Sequence, residues 1–239
     1  MRTKSILQAA MIMAAACAVL MAKDLWEKPY SEWKKNEAFK MKDNSPWAKS
    51  QTMVTTISRR GESTDRLGDA GKSDIYSSVT VRLFSALPIR HAYVRIIQLM
   101  NNYDAKSEPE KAAIDTRVSA VLKRDFSKMI VVEFEYAGND PESLRNVKNY
   151  LLQVKADHLK QSCYLISDRL GRVTLEEYYP PSPDGSGAKF VFPRIVDDKP
   201  VLTPEDKELT FDYYFEPVDQ KVFIHFKVKE LMYGGELAF

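Results

Sequence analysis

One dipeptide in this chain has the residue types and the position of an anion-binding site. Arg90 and His91 follow Ser85 to Pro88, a stretch that has the form of a helix start, so both lie in the first turn of a predicted helix. Free main-chain N–H groups and the helix dipole favour a negative charge at such an end, and an arginine adds a bidentate donor. Arg90 and His91 are therefore candidates for anion binding. The alternative is a surface arginine in an ordinary first turn.

The tryptophans offer a second kind of chemistry. All three, Trp26, Trp33 and Trp47, lie in one short N-terminal stretch. Clustered aromatic rings can stack on carbohydrate or dock onto a partner, so these residues are candidates for a ligand-binding surface. The alternative is structural, because a terminal helix needs large apolar anchors to dock onto a domain and tryptophan has the most area to bury. We expect the structural role.

Residue spacing elsewhere matches no catalytic or metal-binding motif. The histidines are His91, His158 and His225, and none has a second histidine three or four residues away, as a helical metal site requires. The G-x-S-x-G pattern of serine hydrolases is absent from the sequence. If Cys17 leaves with an export signal, Cys163 remains alone, and its apolar neighbours predict a buried, inert thiol. We predict no catalytic residue, no metal and no cofactor.

The first 22 residues have the pattern of an export signal. Arg2 and Lys4 precede an apolar run that is rich in alanine and methionine. Cleavage after Ala22 leaves a chain that starts at Lys23. Two alternatives remain open: a lipobox that ends in Cys17, which would tether the protein by a lipid, and retention of the segment as an anchor. We expect an extracytoplasmic location, in the periplasm or secreted, with no membrane span after cleavage.

The charge balance argues against nucleic acid as a partner. Arg2 and Lys4 leave with the signal, so the 35 basic residues become 33, which equals the number of acidic residues, 33. Nucleic-acid binding is driven by counterion release at a basic face, and this balance gives no such excess. Hydrophobic residues form 44% of the chain and charged residues 28%, which is typical of a globular domain.

Local patterns predict three main helices, each with a start signal. The apolar stripe after Pro88 indicates the first helix. Ser107 with Glu110 forms a capping box for the second, and Asp140 with the proline after it opens a third helix that runs to about Gln161. A shorter helix is expected in the stretch with the tryptophans. Alternation and composition predict strands at 51–60, 75–85, 129–136, 164–167, 172–179, 189–193, 208–215, 221–229 and 236–239.

The order of these elements favours an α+β fold, with a mostly antiparallel sheet and about three helices packed on one face. The alternative is a small αβ unit followed by a C-terminal β-sandwich. The predicted division of the chain is a signal peptide at 1–22, an aromatic-rich helical segment at 23–60, a flexible linker at 61–74 and the α+β domain at 75–239.

Three separated parts of the chain look like one known family. They are 45–49 (SPWAK), 85–90 (SALPIR) and a C-terminal part with 190–194 (FVFPR), 206–209 (DKEL) and 226–237 (FKVKELMYGGEL). Together they resemble a family of uncharacterised secreted proteins found mainly in acidobacteria. The resemblance implies export and a shared domain. It brings no activity, cofactor or catalytic residue.

These observations favour an exported, non-catalytic extracytoplasmic protein that binds a protein or an envelope component. The alternative is a secreted hydrolase or carbohydrate-binding protein with a site built from distant residues. That alternative predicts a cleft lined by tryptophan or tyrosine with facing carboxylates. A lipoprotein tethered through Cys17 is the third hypothesis.

Overall fold

The computed structural model describes residues 25–55, 75–183 and 185–239. The predicted signal segment, the lipidation candidate Cys17 and the predicted linker at 61–74 lie outside these ranges. Among the helices within them, none is long and apolar enough to span a bilayer.

The described helices are α1 (Lys35–Asp43), α2 (Leu87–Met100), α3 (Glu108–Lys123), α4 (Pro141–Gln153) and α5 (Ala156–Leu159). The three main helices, α2, α3 and α4, begin where the local start signals predict. The Asp140 side chain accepts a hydrogen bond from the main-chain N–H of Ser143 at 2.8 Å, which is the expected N-cap of α4. The capping box of Ser107 and Glu110 is also present at the start of α3.

The third predicted helix ends earlier than the apolar pattern indicated. Val154 and Lys155 adopt extended backbone between α4 and α5. Leu159 lies five residues after Val154, a spacing that falls off the apolar stripe of a continuous helix. The break turns the chain so that Leu159 reaches the core, where it is completely buried.

The strands pair in antiparallel fashion throughout the described residues, mainly in two sheets. The first sheet has the order β1-β2-β3-β7-β6 and the second β11-β10-β4-β5, while β8-β9 and β12-β13 are short hairpins. The strands are β1 (Ala48–Thr55), β2 (Ile75–Leu83), β3 (Met129–Gly138), β4 (Cys163–Ser167), β5 (Gly171–Thr174), β6 (Glu177–Tyr179), β7 (Ala188–Pro193), β8 (Ile195–Val196), β9 (Lys199–Pro200), β10 (Glu208–Phe215), β11 (Gln220–Lys227), β12 (Met232–Tyr233) and β13 (Glu236–Leu237).

An aromatic core lies between the two main sheets. Phe134 of β3 and Phe215 of β10 approach edge to face, with ring centroids 5.0 Å apart, and Phe190 of β7 lies 5.3 Å from Tyr213 of β10. Such pairs contribute beyond the apolar area that they bury. Cys163 also lies in this core and is completely buried, as its apolar neighbours predicted.

The Gln51 side chain joins the edges of the two sheets. The Gln51 amide on β1 donates to the Lys221 carbonyl at 2.8 Å and accepts from the Phe223 N–H at 2.9 Å, both on β11. Further along the chain, the stretch predicted as one strand at 172–179 divides between the sheets, β5 in the second and β6 in the first. Leu175 lies at this crossing and is buried.

The predicted α+β class with antiparallel strands is confirmed. The strands divide over two facing sheets. In the first sheet β7 pairs with β3 and β6 pairs with β7, so this sheet combines early strands of the chain with later ones. The helices lie in two places: α2 packs against α1 and α3, whereas α4 contacts β3. The N-terminal segment contributes β1 to the first sheet, where β1 pairs with β2 over its whole length.

Candidate anion-binding site

The start of α2 carries the positive end of a helix without a capping side chain. The helix is preceded by Ala86, whose extended backbone makes the turn from β2 and whose methyl group cannot accept a hydrogen bond. Pro88 in the first turn fixes the helical backbone angle and has no N–H of its own. The remaining first-turn N–H groups therefore keep a partial positive charge that an external anion can balance.

A cavity of about 440 Å³ lies at this helix end. We call it the arginine cavity, because its lining includes Arg90, Arg124 and Arg194. Tertiary structure brings these three together from the first turn of α2, the turn after α3 and the end of β7. The segment 233–239 closes another side of the cavity.

Arg90 is withdrawn from solvent but incompletely bonded. Its side chain is 9% exposed, and one terminal nitrogen donates to the carbonyls of Val121 and Leu122 at 3.3 and 2.9 Å. These carbonyls belong to the last turn of α3, where a cation is favoured. The Nε atom has no hydrogen-bond partner among the described residues. Burial lowers the pKa of Arg90, so its charge is held at an energetic cost.

Arg194 lies beside Arg90, and burial disfavours its charged form as well. Its Nε donates to the Phe126 carbonyl at 3.1 Å, and one terminal nitrogen donates to the main-chain oxygen of Phe239. Its guanidinium carbon lies 3.9 Å from the centre of the Phe239 ring. Burial, followed by the positive charge of Arg90, lowers the pKa of Arg194 to about 10.

Phe126 connects Arg90 to the third arginine. The guanidinium groups of Arg90 and Arg124 lie 4.8 and 5.4 Å from the centre of the Phe126 ring. Within the described part of the chain, the arginines that pair with aspartate or glutamate side chains are Arg82, Arg95 and Arg169. The three arginines of the cavity have no such pair, and Arg194 contacts an oxygen of Phe239 instead.

Two exposed carboxylates also line the arginine cavity. They belong to Asp125 and Glu236. The Asp125 carboxylate accepts hydrogen bonds from the N–H and the hydroxyl of Ser127 at 2.8 and 3.0 Å. Three guanidinium groups thus line the cavity with two side-chain carboxylates, one of which is already bonded locally, and with an oxygen of Phe239 that Arg194 contacts. The balance leaves the cavity suited to an anion with two oxygens, which arginine binds in a bidentate manner.

His91 does not line this cavity, although the sequence placed it beside Arg90. Adjacent residues on a helix point about 100° apart, and the His91 ring stacks on Tyr30 with centroids 4.2 Å apart. Its Nδ1 lies 2.9 Å from the Tyr233 hydroxyl. Burial and then the charge of Arg90 lower the pKa of His91 to about 4. The imidazole is therefore neutral near pH 7 and supplies no charge to an anion.

The tryptophans serve mainly as anchors. Trp33 and Trp47 are completely buried, and their indole N–H groups donate to the carbonyls of Lys28 and Ala238 at 3.3 and 2.7 Å. Trp26 is half-buried and packs edge to face on Trp47 at 5.5 Å. It also lines a wider cleft of about 930 Å³ together with Tyr233. Of the three ligand-binding candidates, only Trp26 is therefore open to a ligand.

A second charged cluster shows how an arginine is paired elsewhere in the fold. Arg82 on β2 is 2% exposed and lies 2.6 Å from carboxylate oxygens of both Asp43 and Glu135. Behind it, the completely buried Glu133 lies 3.5 Å from Arg82 and accepts a hydrogen bond from the Tyr93 hydroxyl. We call these residues the Arg82 network.

Other reactive groups are isolated. Burial raises the pKa of the Cys163 thiol well above its usual value, so the thiolate nucleophile is disfavoured. Within the described ranges, no three histidine, cysteine, aspartate or glutamate side chains come together as ligands for a metal ion.

Sequence reasoning found Arg90 but missed Arg124 and Arg194. Both are distant from Arg90 in the chain, and neither stands in a recognisable motif for anion binding. The one usable signal was the Phe-Pro-Arg ending of the strand at 189–193, which places an arginine directly after a buried strand.

No protein-family model, curated protein or solved structure matches this chain. The resemblance to secreted acidobacterial proteins therefore stays a prediction, and the functional argument rests on the geometry of the arginine cavity.

Proposed function

We propose that this chain is an exported, non-catalytic binding protein that recognises an anionic group on an envelope component or a partner protein through the arginine cavity. One observation carries the proposal. Arg90, Arg124 and Arg194 face a single cavity, and no aspartate or glutamate side chain of the described residues forms an ion pair with any of them. Guanidinium groups without such a partner, beside an uncapped helix start, have the chemistry of a carboxylate or phosphate receptor.

The groups that line the cavity favour binding over catalysis. Arginine stays protonated and donates hydrogen bonds, but it does not exchange protons near neutral pH. The two serines of the lining have structural partners: the Ser85 hydroxyl accepts from the Val131 N–H at 3.1 Å, and the Ser127 hydroxyl donates to Asp125, two residues before it, in a local turn.

Anion binding can be tested with two small probes, acetate and inorganic phosphate. We expect either anion to stabilise the purified protein against thermal unfolding relative to chloride at equal ionic strength. Occupancy at 10 to 100 times Kd is worth about 1–3 kcal/mol. Arg124→Gln should weaken binding about tenfold, because one charge-assisted hydrogen bond is lost.

Arg172→Gln is the matched control for this experiment. Arg172 is also exposed and also lies over an aromatic ring, 4.8 Å from the centre of Tyr164, but it is outside the cavity. Phosphate stabilises proteins generally by exclusion from their surface, so only the difference between the two variants reports the site. Equal anion responses from R124Q, R172Q and the unchanged protein would contradict the proposal.

The export part of the proposal has its own measurement. Intact mass of the protein from an envelope fraction should show a chain that starts at Lys23. A mass that starts at Cys17 with acyl chains would establish the lipoprotein alternative, and Cys17→Ser should then abolish fatty-acid labelling. A mass that includes Met1 in a cytoplasmic fraction would contradict export.

A second candidate is carbohydrate binding in the wider cleft. Its lining combines the rings of Trp26 and Tyr233 with the carboxylates of Glu27 and Glu230, the kind of lining that the carbohydrate-binding alternative predicts. The burial of Trp33 and Trp47 removes the extended aromatic row that first suggested it. Titration with soluble oligosaccharides should change the tryptophan fluorescence of the protein but not of Trp26→Phe if this site is used.

A further inference from the structure

A second cavity adjoins the arginine cavity and has the opposite character. It encloses about 460 Å³ and shares Arg124 and Phe126 with the arginine cavity. Its lining is mainly apolar, with Phe84, Val131 and Val191 on one side and the proline-containing loop at 180–183 on the other. We call this second cavity the apolar groove.

The floor of the apolar groove is separate from the main core. Phe126, Val131 and Val191 form their own small hydrophobic cluster, with Phe84 and Met129 packed against it. Val131 and Val191 alternate with core residues along β3 and β7, so they lie on the face of the first sheet that points away from the aromatic core. At the groove this apolar face has room beside it for a ligand.

The charges around the apolar groove are complementary to an anion. Arg124 lies where the two cavities meet, and Lys189 lines the groove with its ammonium 5.3 Å from the centre of the Phe84 ring. That ammonium donates to the Ser186 hydroxyl at 2.9 Å. The nearby carboxylate of Glu177 accepts a hydrogen bond from the Tyr179 hydroxyl at 2.6 Å. A ligand with an anionic head and an apolar chain matches both cavities at once.

We infer that the two cavities together bind a single-chain anionic amphiphile, such as a fatty acid, with its head group at the arginines and its chain across Phe126 into the apolar groove. This inference rests on the proposed anion binding and names the class of ligand. A hydrocarbon chain suits the groove better than a peptide, because a peptide main chain needs hydrogen-bond partners. Prolines 180, 181 and 183 offer no N–H groups for that purpose.

The test varies the length of the ligand's hydrocarbon chain. Acetate, hexanoate, octanoate and decanoate are titrated into the purified protein by calorimetry, below their micelle concentrations. Affinity should rise by up to about fourfold for each methylene group that the groove buries, the equivalent of ~0.8 kcal/mol. Decyl phosphate tests the alternative anionic head group and should bind like decanoate. Decanol and decyltrimethylammonium, which lack the negative charge, should bind at least about tenfold more weakly.

A matched pair of tyrosine variants tests where the hydrocarbon chain of the ligand lies. Tyr179 lines the apolar groove and is 47% exposed, and Tyr214 is 46% exposed on the second sheet. Each hydroxyl bonds to a carboxylate near it, of Glu177 and Asp219 respectively. Tyr179→Ser should weaken decanoate at least about threefold and leave acetate unchanged, because only the longer ligand reaches the ring. Tyr214→Ser should change neither affinity.

The outcomes separate this inference from the proposed function. Equal affinities for acetate and decanoate would contradict the inferred binding of an amphiphile but not the proposed anion binding. Failure of every anion to bind would overturn both. Decanol that binds as tightly as decanoate would show that the arginines do not hold the head group. An apolar tripeptide that binds more tightly than decanoate, and weakens when its C-terminus is amidated, would replace the amphiphile by a peptide carboxylate.

Discussion

The Arg82 network and the arginine cavity both hold arginines away from water, but they balance the charge differently. In the network, burial alone would lower the pKa of Arg82, yet the carboxylates of Glu133 and Glu135 outweigh it and the pKa is raised. In the cavity, carbonyl oxygens and aromatic rings are the main partners, and the pKa values of Arg90 and Arg194 are lowered.

The oxygens of Glu133 show how completely the network is satisfied. One oxygen accepts the main-chain N–H of Gly187 at 3.0 Å, and the other accepts the Tyr93 hydroxyl and faces Arg82. Burial, followed by the charge of Glu133, raises the pKa of Tyr93, so this hydroxyl remains a donor. A buried charge with all its partners inside the fold has nothing left to offer a ligand.

The difference between the two regions separates stability from binding. A fully paired arginine contributes to the fold, and its removal leaves a buried carboxylate uncompensated. An arginine that lines a cavity without a carboxylate side chain as its partner keeps part of its binding capacity, which an external anion can take up. We therefore infer that Arg82 mainly stabilises the fold and that Arg90 belongs to the binding site, although both are nearly buried.

The largest effect is expected from Arg82→Met. This change leaves the Glu133 carboxylate buried without its cationic partner, and we expect the free energy of unfolding to fall by about 3–5 kcal/mol. Chemical denaturation followed by circular dichroism measures it. The double variant Arg82→Met, Glu133→Gln should recover part of the loss, because it also removes the unpaired charge of the Glu133 carboxylate. An R82M protein that is as stable as the unchanged chain would remove the distinction between the two regions.

Arg90→Gln should have a smaller effect on stability and a larger one on binding. The variant loses two hydrogen bonds to the last turn of α3, so we expect a loss of about 1–2 kcal/mol in the free energy of unfolding. Affinity for acetate or phosphate should fall about tenfold or more, because a charge-assisted contact is removed. A stability loss as large as that of R82M, with anion affinity unchanged, would place Arg90 in the architecture as well.

The smallest effect concerns pH. The pKa of His91 is lowered to about 4 in the fold, against an unperturbed value of 6.5. Between these values the unfolded chain binds the proton and the folded chain does not, so stability is complete above pH 6.5 and falls as the pH drops toward 4. His91→Gln should reduce this slope of stability with pH, whereas His158→Gln, at an exposed position, serves as the control.

The same histidine tests the charge of Arg90 directly. Because that charge helps to lower the pKa of His91, Arg90→Gln should raise it, as measured by NMR titration of the imidazole. An unchanged His91 pKa in R90Q would mean that burial alone sets it.

Several elements could be predicted from the sequence because their signals are local. Capping at Ser107 and Asp140 places two helix starts, and alternation gives the strand Glu208–Phe215 with the bounds that the structure shows. The break after α4 could not be predicted, because it depends on where Leu159 meets the core. The division of 172–179 between two sheets depends in the same way on the burial of Leu175.

The candidate site shows the same difference between local signals and long-range contacts. The sequence by itself determined the α+β class, the helix start at Leu87 and the presence of Arg90 there, because these follow from short-range preferences of the backbone. Only the tertiary structure decided that Arg124 and Arg194 meet Arg90, that His91 turns toward Tyr30, and that Trp33 and Trp47 are buried. The physical reason is that these contacts join residues far apart in the chain, and their geometry is set by packing of the whole fold.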